Sequence, residues 1–238
     1  MKNKFITIRY IWIGVLSISF CCGHVFAQKT PFRCVKVKED KQSLILTMEE
    51  VRIGDYRNFM GSLKYRYGED SEQYKFSLPD TAKFTALYGF SFFLPLGYPK
   101  KEDSTANELL LKHSTFPMVA ISYEQAMAFC QWEEGNANQR DKSYNWQYSL
   151  PSKADYEMAF KNAKITQRKP LSVLLSWYKK ERKGNRNRVF GLTDNVAEYM
   201  QDGTIVAGGE NSELKFIDAK NDENSIGFRY KATVVSKK

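Results

Sequence analysis

The chain has 238 residues, which is enough for one domain or at most two. Hydrophobic residues make up 42% of it and aromatic residues 14%, so it can build a sizeable core and is not a disordered chain. The formal net charge is +9. Outside the cytoplasm, such a charge favours either contact with anionic lipid headgroups and acidic glycans or simple solubility.

Residues 1–27 have the composition of a secretory signal peptide. A basic start is followed by the short apolar run Ile11–Phe20 and by Val25–Ala27, which predicts Gln28 as the first mature residue. The apolar run is too short to span a membrane comfortably. We therefore expect an exported protein, in the periplasm or at the cell surface, whose mature net charge falls from +9 to +6 because three basic residues and no acidic residue are removed.

The four cysteines raise two further questions. Cys21 and Cys22 follow the apolar run and could carry a lipid anchor, but the bulky Phe20 before them favours cleavage without lipidation. Cys34 and Cys130 remain in the mature chain and could form a disulfide in an oxidising compartment. The alternative for Cys130, within a helical pattern, is a buried free thiol.

Apolar periodicity predicts the elements of the N-terminal half. Leu44–Met48 alternates as a strand does, and Ile53–Leu63 repeats apolar residues at helical spacing. Tyr65–Tyr74 has no clear period and is predicted to be a loop. The aromatic stretch Phe84–Leu96 contains Gly89 and Pro95, which predicts packed irregular structure.

Two capped helices dominate the middle of the chain. Ser122 with Gln125 has capping-box spacing and begins a helix to about Glu133, followed by a predicted loop over Glu134–Tyr144. Ser152 begins a second helix, whose inward face is predicted to contain four residues: Tyr156, Ala159, Phe160 and Ala163.

The C-terminal third contains a basic segment and two short strands. Lys179–Arg188 has six basic residues against one acid and is predicted to be an exposed loop. Ile205–Ala207 and Phe228–Val235 are predicted strands.

Several stretches of the chain resemble, in order, motifs of one family. They are Glu50–Phe59, Phe116–Trp132 (a P-V-x-x-V-S-W … A-x-x-Y-C-x-W block), Tyr148–Glu157 (Y-R-L-P-T-E-A-E-W-E), Asp194–Asp202 (G-N-V-x-E-W-x-x-D), Ala207–Glu210 (R-G-G-S) and Ile226–Arg229 (G-F-R). The family is that of the formylglycine-generating enzyme, or sulfatase-modifying factor, and its gliding-motility and secretion members are the most similar in character. The resemblance implies a single α+β domain over residues 28–238, with a C-type-lectin-like arrangement and much irregular structure.

The resemblance also implies a reaction whose cysteines are not where the family has them. Family enzymes oxidise a substrate cysteine with two copper-binding cysteines between R-G-G-S and G-F-R, and thiolates suit Cu(I). The corresponding segment, 210–225, contains no cysteine. His113 is the single histidine of the predicted mature chain, so a multi-histidine zinc or iron site cannot form. We therefore expect no catalytic residues of this type. The sequence also identifies no cofactor that is certain.

The Asn195–Tyr199 stretch is the remaining candidate site. The resemblance implies a structural calcium ion held by the Glu198 side chain and by carbonyl groups of Thr193, Asp194 and Val196, since calcium binds six to eight oxygens. The alternative is that Asn195 and Glu198 are buried polar groups bonded to backbone amides and to Arg229. The residues do not decide between the two.

These observations predict an exported, non-catalytic binding or scaffold component of a bacterial cell-envelope assembly, in a secretion or gliding machinery. An envelope protein is the expected partner, with association to an outer-membrane surface as a further option. Nucleic acid is not expected, because of export and because Lys179–Arg188 lacks interleaved aromatic residues. Two alternatives remain: a glycan-binding lectin-like module, or an enzyme of altered chemistry in a cleft bordered by Asn195, Glu198, Glu210 and Arg229.

Overall fold

A computed structural model describes residues 30–31, 33–39, 42–94, 113–166, 188–193, 195–208, 214–217 and 226–238. These residues mix helices and strands within one domain, and the α+β prediction is confirmed. None of the helices in the described ranges is long and apolar enough to cross a membrane. The predicted signal peptide, residues 1–27, lies outside the described residues, and so does the basic segment Lys179–Arg188 except for Arg188 itself.

The described residues form five helices. They are α1 (Ile53–Tyr67), α2 (Glu72–Phe76), α3 (Thr81–Tyr88), α4 (Tyr123–Arg140) and α5 (Lys153–Asn162). The predicted loop over Tyr65–Tyr74 is wrong, because α1 continues through Tyr67 and α2 begins at Glu72, where the Ser71 side chain accepts a hydrogen bond from the Tyr74 amide. This short helix is stabilised by its local cap, and apolar periodicity in the sequence does not reveal such a cap.

Helix α3 overlaps the start of the stretch Phe84–Leu96, and the prediction of irregular structure is wrong over Phe84–Tyr88. The Asp80 side chain caps its start by accepting a hydrogen bond from the Lys83 amide, and Gly89 ends it in the left-handed conformation, with φ of 71°. Phe84 is fully buried, with its ring centroid 5.0 Å from that of Tyr88 and 5.4 Å from that of Phe92. The closely spaced aromatic residues therefore pack against one another around α3.

Helix α4 is also longer than predicted, so the expected loop over Glu134–Tyr144 is wrong up to Arg140. Its polar last turns bind the neighbouring strand β3 (Tyr144–Ser149). The Asn138 side chain donates to the Trp146 carbonyl at 2.9 Å and accepts from the Trp146 amide at 2.7 Å. Glu134 accepts a hydrogen bond from the Tyr148 amide at 2.9 Å. Since β3 is an edge strand, these side chains satisfy backbone groups that would otherwise lack partners.

The largest sheet joins the two ends of the described chain. Its strands are β1 (Cys34–Glu39), β2 (Gln42–Thr47), β10 (Lys231–Lys237) and β3, in the order β1-β2-β10-β3, with each neighbouring pair antiparallel. The predicted strand at Leu44–Met48 corresponds to β2, and the one at Phe228–Val235 corresponds to β10; β1 was not predicted. The pairing of β2 with β10 brings the residues after β2 against those before β10, since Val51 donates to the Phe228 carbonyl at 2.8 Å.

Two smaller sheets complete the described strands. One pairs β4 (Lys164–Thr166) with β5 (Arg188–Phe190) in parallel. The other has the order β8-β7-β6-β9 and contains β6 (Ala197–Tyr199), β7 (Ile205–Gly208), β8 (Leu214–Ile217) and β9 (Ile226–Gly227). The parallel pair of β6 and β9 places Glu198 opposite Gly227.

The main core packs α1 and α4 against residues 228–230. Phe129 of α4 packs among several aromatic rings, including Tyr56 at 5.9 Å, Phe59 at 5.8 Å and Phe228 at 5.4 Å between centroids. A second core lies under α5, where Tyr156 and Ala159 are fully buried as predicted. Phe160 was predicted to face inward, but its side chain is 39% exposed. Each residue of a helix is rotated by about 100° about the axis from the one before it. Phe160, next after the buried Ala159, therefore lies outside the buried face.

Candidate functional site

Strands β6 and β9 bring Glu198 and Arg229 together in the interior. Arg229, two residues beyond β9, is fully buried, and Glu198 is 2% exposed. The Arg229 Nε donates to Glu198 Oε2 at 2.6 Å, and its Nη2 donates to Oε1 at 2.6 Å. This two-pronged contact is the strongest geometry that a guanidinium and a carboxylate can adopt.

Further hydrogen bonds, one donated to Glu198 and two donated by Arg229, surround the pair. The Tyr156 hydroxyl on α5 donates to Glu198 Oε2 at 2.8 Å. Arg229 also donates to the Phe190 carbonyl at 3.0 Å and to the Thr47 carbonyl at 3.4 Å. Because each buried charge has several hydrogen-bond partners, much of the cost of removing the pair from water is offset.

Glu50 extends this cluster toward the loop that follows β5. The Asn195 side chain donates to Glu50 Oε1 at 2.8 Å, and Arg229 Nη2 lies 3.7 Å from the same oxygen. Gly191 has a φ of 69°, and a Cβ atom there would lie 2.2 Å from Glu50 Oε1, so any other residue would clash with the carboxylate. We call the five residues Glu50, Tyr156, Asn195, Glu198 and Arg229 the Arg229 network.

The electrostatics of the network favour an ionised pair. Burial by itself lowers the pKa of Arg229, but the Glu198 carboxylate more than offsets this, so the pKa is raised. Burial raises the pKa of Glu198, while its two 2.6 Å contacts with Arg229 act in the opposite direction. Because the guanidinium cannot lose its proton, the bidentate geometry supports the charged state of both groups. Burial also raises the pKa of Tyr156, which therefore stays protonated and donates.

The structure brings together three of the predicted site residues, Asn195, Glu198 and Arg229. Arg229 is the partner of Glu198, as one alternative proposed, but the other partners are Tyr156 and, for Asn195, Glu50, where backbone amides were expected. Glu210, predicted to border a catalytic cleft, lies outside the described residues. Of the other three border residues, Glu198 and Arg229 are buried, Asn195 is half-buried, and all three are hydrogen-bonded.

The predicted calcium site has a mixed fit. Both Glu198 oxygens accept hydrogen bonds, and a calcium ion on this carboxylate would lie beside the Arg229 guanidinium, which makes Glu198 a poor ligand. The buried Thr193 hydroxyl has no hydrogen-bond partner among the described residues, and a nearby ion would satisfy it. Val196 is buried, and Asp194 lies outside the described residues. The calcium site stays a prediction.

Both described cysteines are buried and free. Burial, and to a lesser degree the Glu133 carboxylate, raises the pKa of the Cys34 thiol to about 12. Burial also raises the pKa of Cys130, on α4. The two residues do not form the disulfide that an oxidising compartment would allow, and Cys130 is the small buried apolar residue that its helical position indicated.

His113 packs against aromatic rings. Its ring is stacked on Phe90 with centroids 3.8 Å apart, and Phe116 lies 5.6 Å away. Its Nδ1 is buried without a hydrogen-bond partner among the residues described here. Burial and the nearby Arg57 charge lower its pKa, so the imidazole is neutral at pH 7. His113 is therefore a packing residue in this aromatic group.

Sequence reasoning did not assign Glu50 and Tyr156 to the site. Each had a partial signal, since Tyr156 was expected on the inward face of α5, and a tyrosine buried there needs a partner for its hydroxyl. Glu50 stands in a motif at the start of the family resemblance. Nothing local links it to Asn195, which is 145 residues away in the chain.

Comparison with known proteins gives one result. The model of the sulfatase-modifying factor enzyme 1-like domain matches residues 23–213, more than three quarters of the chain. No curated protein and no solved structure matches the chain significantly. The matched range includes α1 to α5 and β1 to β7, and therefore every residue of the Arg229 network except Arg229.

Proposed function

Because the chain belongs to the sulfatase-modifying factor enzyme 1-like domain family, we propose that it is an exported, non-catalytic member of that family. It acts as a binding or scaffold component of a bacterial cell-envelope assembly, such as a secretion or gliding machinery. Its polar interior stabilises the fold, and its partners are envelope proteins that contact its surface.

The position and burial of the cysteines carry the non-catalytic part of the proposal. Oxidising a substrate cysteine through copper needs two accessible thiolates. Cys34 and Cys130 are buried, and burial holds both thiols in the protonated form at neutral pH. The sequence after Cys130 contains no further cysteine. The mature chain therefore has no pair of thiols suited to the reaction.

The Arg229 network supports a scaffold role over an altered enzyme in the same interior. A catalytic carboxylate needs a free oxygen or a proton that it can exchange with a substrate. Glu198 instead has both oxygens bonded to groups that are themselves buried. This arrangement fixes strands β6 and β9 and the loop after β5 relative to one another.

A conversion assay tests the absence of catalysis. The purified chain, loaded with Cu(I), is incubated under oxygen with a cysteine peptide of the type that family enzymes oxidise, and the product is analysed by mass spectrometry. We expect unmodified peptide, while a catalytically competent family member gives the aldehyde under the same conditions. Formation of the aldehyde by this chain would refute the proposal.

Mass spectrometry of the protein isolated from envelope fractions tests export. We expect a mature chain that begins at Gln28 and carries no lipid. A lipid on Cys21 or Cys22 would replace simple cleavage by membrane anchoring. Recovery of the full-length chain in the cytoplasm would contradict the proposed location.

A further inference from the structure

Arg57, on the second turn of α1, is a half-buried cation that contacts no carboxylate of any described residue. Its guanidinium lies over the Phe92 ring, 5.3 Å from the centroid, and its Nη2 donates a hydrogen bond to the Phe92 carbonyl. The Arg57 Nε is buried and has no hydrogen-bond partner within the described part of the chain. Three other buried or half-buried arginines each contact a carboxylate: Arg33, Arg52 and Arg229.

The electrostatics distinguish Arg57 from Arg229 in the same way. Burial acts to lower the pKa of both, but for Arg229 the Glu198 carboxylate more than offsets this effect. For Arg57 burial acts alone, and the pKa is lowered. Because a guanidinium keeps its proton in a protein, the charge of Arg57 remains, and its partial removal from water is unfavourable until an anion approaches it.

His113 supplies a second nitrogen without a partner. The residue is only 8% exposed, and its Nδ1 is buried without a hydrogen bond to any residue that the structure describes. The ring is stacked on Phe90 at 3.8 Å, which fixes its plane. A neutral imidazole carries one N–H group, and when the hydrogen is on Nδ1 it is available to a bound acceptor. Buried polar groups in native proteins usually have such a partner.

The backbone places Arg57 and His113 on the same side of the molecule. In the first turn of α1, the Gly54 amide donates to the carbonyl of Ser114, the residue after His113, at 2.9 Å. Arg57 follows Gly54 by three residues and lies on the same helix face, and helical side chains lean toward the N-terminus. The Arg57 side chain therefore extends back toward residue 113. The lowered pKa of His113, to which the Arg57 charge contributes, agrees with this proximity.

The two groups also rest on neighbouring rings of one segment. His113 stacks on Phe90 and Arg57 lies over Phe92, and residues two positions apart in a chain are separated by at most about 7 Å. The ring of Phe93 lies 5.3 Å from that of Phe92 and is 54% exposed. An apolar surface therefore extends from the two nitrogens to the solvent.

We propose that Arg57 and His113 bind the carboxylate of an organic acid whose apolar part packs on the adjacent phenylalanine rings. One carboxylate oxygen accepts a hydrogen bond from Arg57 Nε and the other from His113 Nδ1, so that each buried nitrogen gains a partner. The carboxylate also balances the Arg57 charge, and the apolar part covers the exposed Phe93 ring. The site does not depend on the scaffold role, because neither residue belongs to the Arg229 network.

Calorimetric titration of the full chain tests the proposal with matched probes. Phenylacetate is compared with phenylacetamide, which has the same shape without charge, and with inorganic phosphate, an anion without an apolar part. We expect phenylacetate to bind at least tenfold more tightly than either. Equal affinity for phenylacetamide would show that the charge is not recognised, and equal affinity for phosphate would show that the apolar part is not; either result would overturn the proposal.

Two substitutions locate the binding. Arg57→Gln removes the charge, and His113→Phe keeps a ring on Phe90 but removes both nitrogens; each should weaken phenylacetate binding at least fivefold. Arg66→Gln, the same chemical change at an exposed position near the end of α1, should leave it unchanged. Circular dichroism verifies that the variants are folded. Unchanged affinity in either site variant would overturn the proposal.

Nuclear magnetic resonance observes His113 directly. The chain has two histidines, His24 in the predicted signal peptide and His113, and the spectrum of His113→Phe identifies the signals of the second. Phenylacetate should shift the imidazole signals of His113 and leave those of His24 unchanged. Phenylacetate that binds without shifting the His113 signals would overturn the proposal.

The same chemistry has two sources, a free organic acid or the carboxyl terminus of another chain. Titration with an N-acetylated Gly-Phe dipeptide and with its C-terminal amide separates them. Binding of the dipeptide, abolished by amidation, assigns the site to a chain terminus. Binding of phenylacetate alone assigns it to a free acid, and binding of neither would overturn the proposal.

Discussion

Two polar regions of the molecule meet at Glu50 and differ in whether their groups border open space. On one side, Glu50 accepts a hydrogen bond from Asn195 within the Arg229 network, where the buried charges contact one another directly. On the other side it lines a cavity of about 190 Å³ together with Tyr230, and the other carboxylates there are ion-paired with arginines. Similar residue types therefore form a closed interior network in one place and border a cavity in the other.

The two tyrosines show the difference most directly. Tyr156 and Tyr230 are both buried, and burial raises the pKa of both. Tyr156 donates to a carboxylate, while Tyr230 faces a cavity. A polar group that is paired inside the protein contributes to stability, while one that borders a cavity can bond to water and contributes less. The predictions below test this contrast, from the largest expected effect to the smallest.

Glu198→Ala should have the largest effect on stability. It leaves the Arg229 guanidinium fully buried with Glu50, at 3.7 Å, as its nearest remaining carboxylate, and removing one partner of a buried ion pair costs about 3–5 kcal/mol. The free energy of unfolding, measured by urea denaturation, should fall by this amount. Glu157→Ala, the same substitution at a side chain that is 56% exposed, should change it by less than about 0.5 kcal/mol. Equal effects of the two variants would show that the Arg229 network does not stabilise the fold.

Gly191→Ala should be the next most destabilising change, because two costs add. The φ of 69° strains any residue with a Cβ atom by about 1–2 kcal/mol, and the clash with Glu50 adds an overpacking cost of about 1–3 kcal/mol. Gly203→Ala is the matched control, since Gly203 has a φ of 83° and open space around its Cβ position. The difference in thermal unfolding between the two variants measures the clash alone. If the two variants unfold at the same temperature, Glu50 does not lie against Gly191.

Tyr156→Phe and Tyr230→Phe compare the two regions by the same chemical change. Loss of the Tyr156 hydroxyl removes a hydrogen bond to a carboxylate, which is expected to cost about 1.5–3 kcal/mol. Loss of the Tyr230 hydroxyl, on a residue that lines a cavity, should change stability by less than about 0.5 kcal/mol, because water can take the place of a protein partner there. Urea denaturation of both variants measures the difference. A larger loss for Tyr230→Phe than for Tyr156→Phe would reverse the assignment of the two regions.

Local sequence signals predicted some elements and not others, for a physical reason. The helices that begin at Ser122 and Ser152 have caps formed by residues three positions apart, so both starts were predictable. The last turns of α4 were not, because their polar side chains are stabilised by the backbone of β3, whose position depends on pairing with β10. A helix whose polar face binds another element has the composition of a loop.

The same limit applies to the site. Pairing of Glu198 with Arg229 was one of two alternatives that the sequence left open, beside a calcium ion, and the parallel pair of β6 and β9 brings the two residues together. Glu50 could not be placed in the same way. Its contact with Asn195 requires the loop at Gly191 to lie close to Glu50. A single sequence does not show which distant residue packs against that loop. The cavity was missed altogether, because it is formed by side chains from four separate segments.

His113 predicts a small pH dependence of stability. Its pKa is lowered in the folded protein by burial and by Arg57, so the folded state binds its proton less readily than the unfolded chain, where the pKa is about 6.5. The stabilising contribution of the neutral ring is therefore complete above about pH 6.5 and decreases as the pH falls below that value. Thermal unfolding between pH 7 and 5.5 should show this decrease, and His113→Gln should flatten it. A slope that is unchanged in His113→Gln would assign it to other groups.

Calcium should have the smallest effect, and its measurement separates the two interpretations of Glu198. If Glu198 is held by Arg229 and Tyr156, as the contacts indicate, neither an excess of a chelator nor an excess of calcium should change the unfolding temperature. If calcium does bind the native state, an excess far above its Kd should stabilise the fold by about 3–4 kcal/mol and raise the unfolding temperature. A calcium-dependent rise would favour the ion, and Thr193→Val, which removes the unpaired buried hydroxyl, would then test whether it lies beside that loop. Because Glu198→Ala lowers stability under both interpretations, the calcium titration distinguishes them and the substitution alone does not.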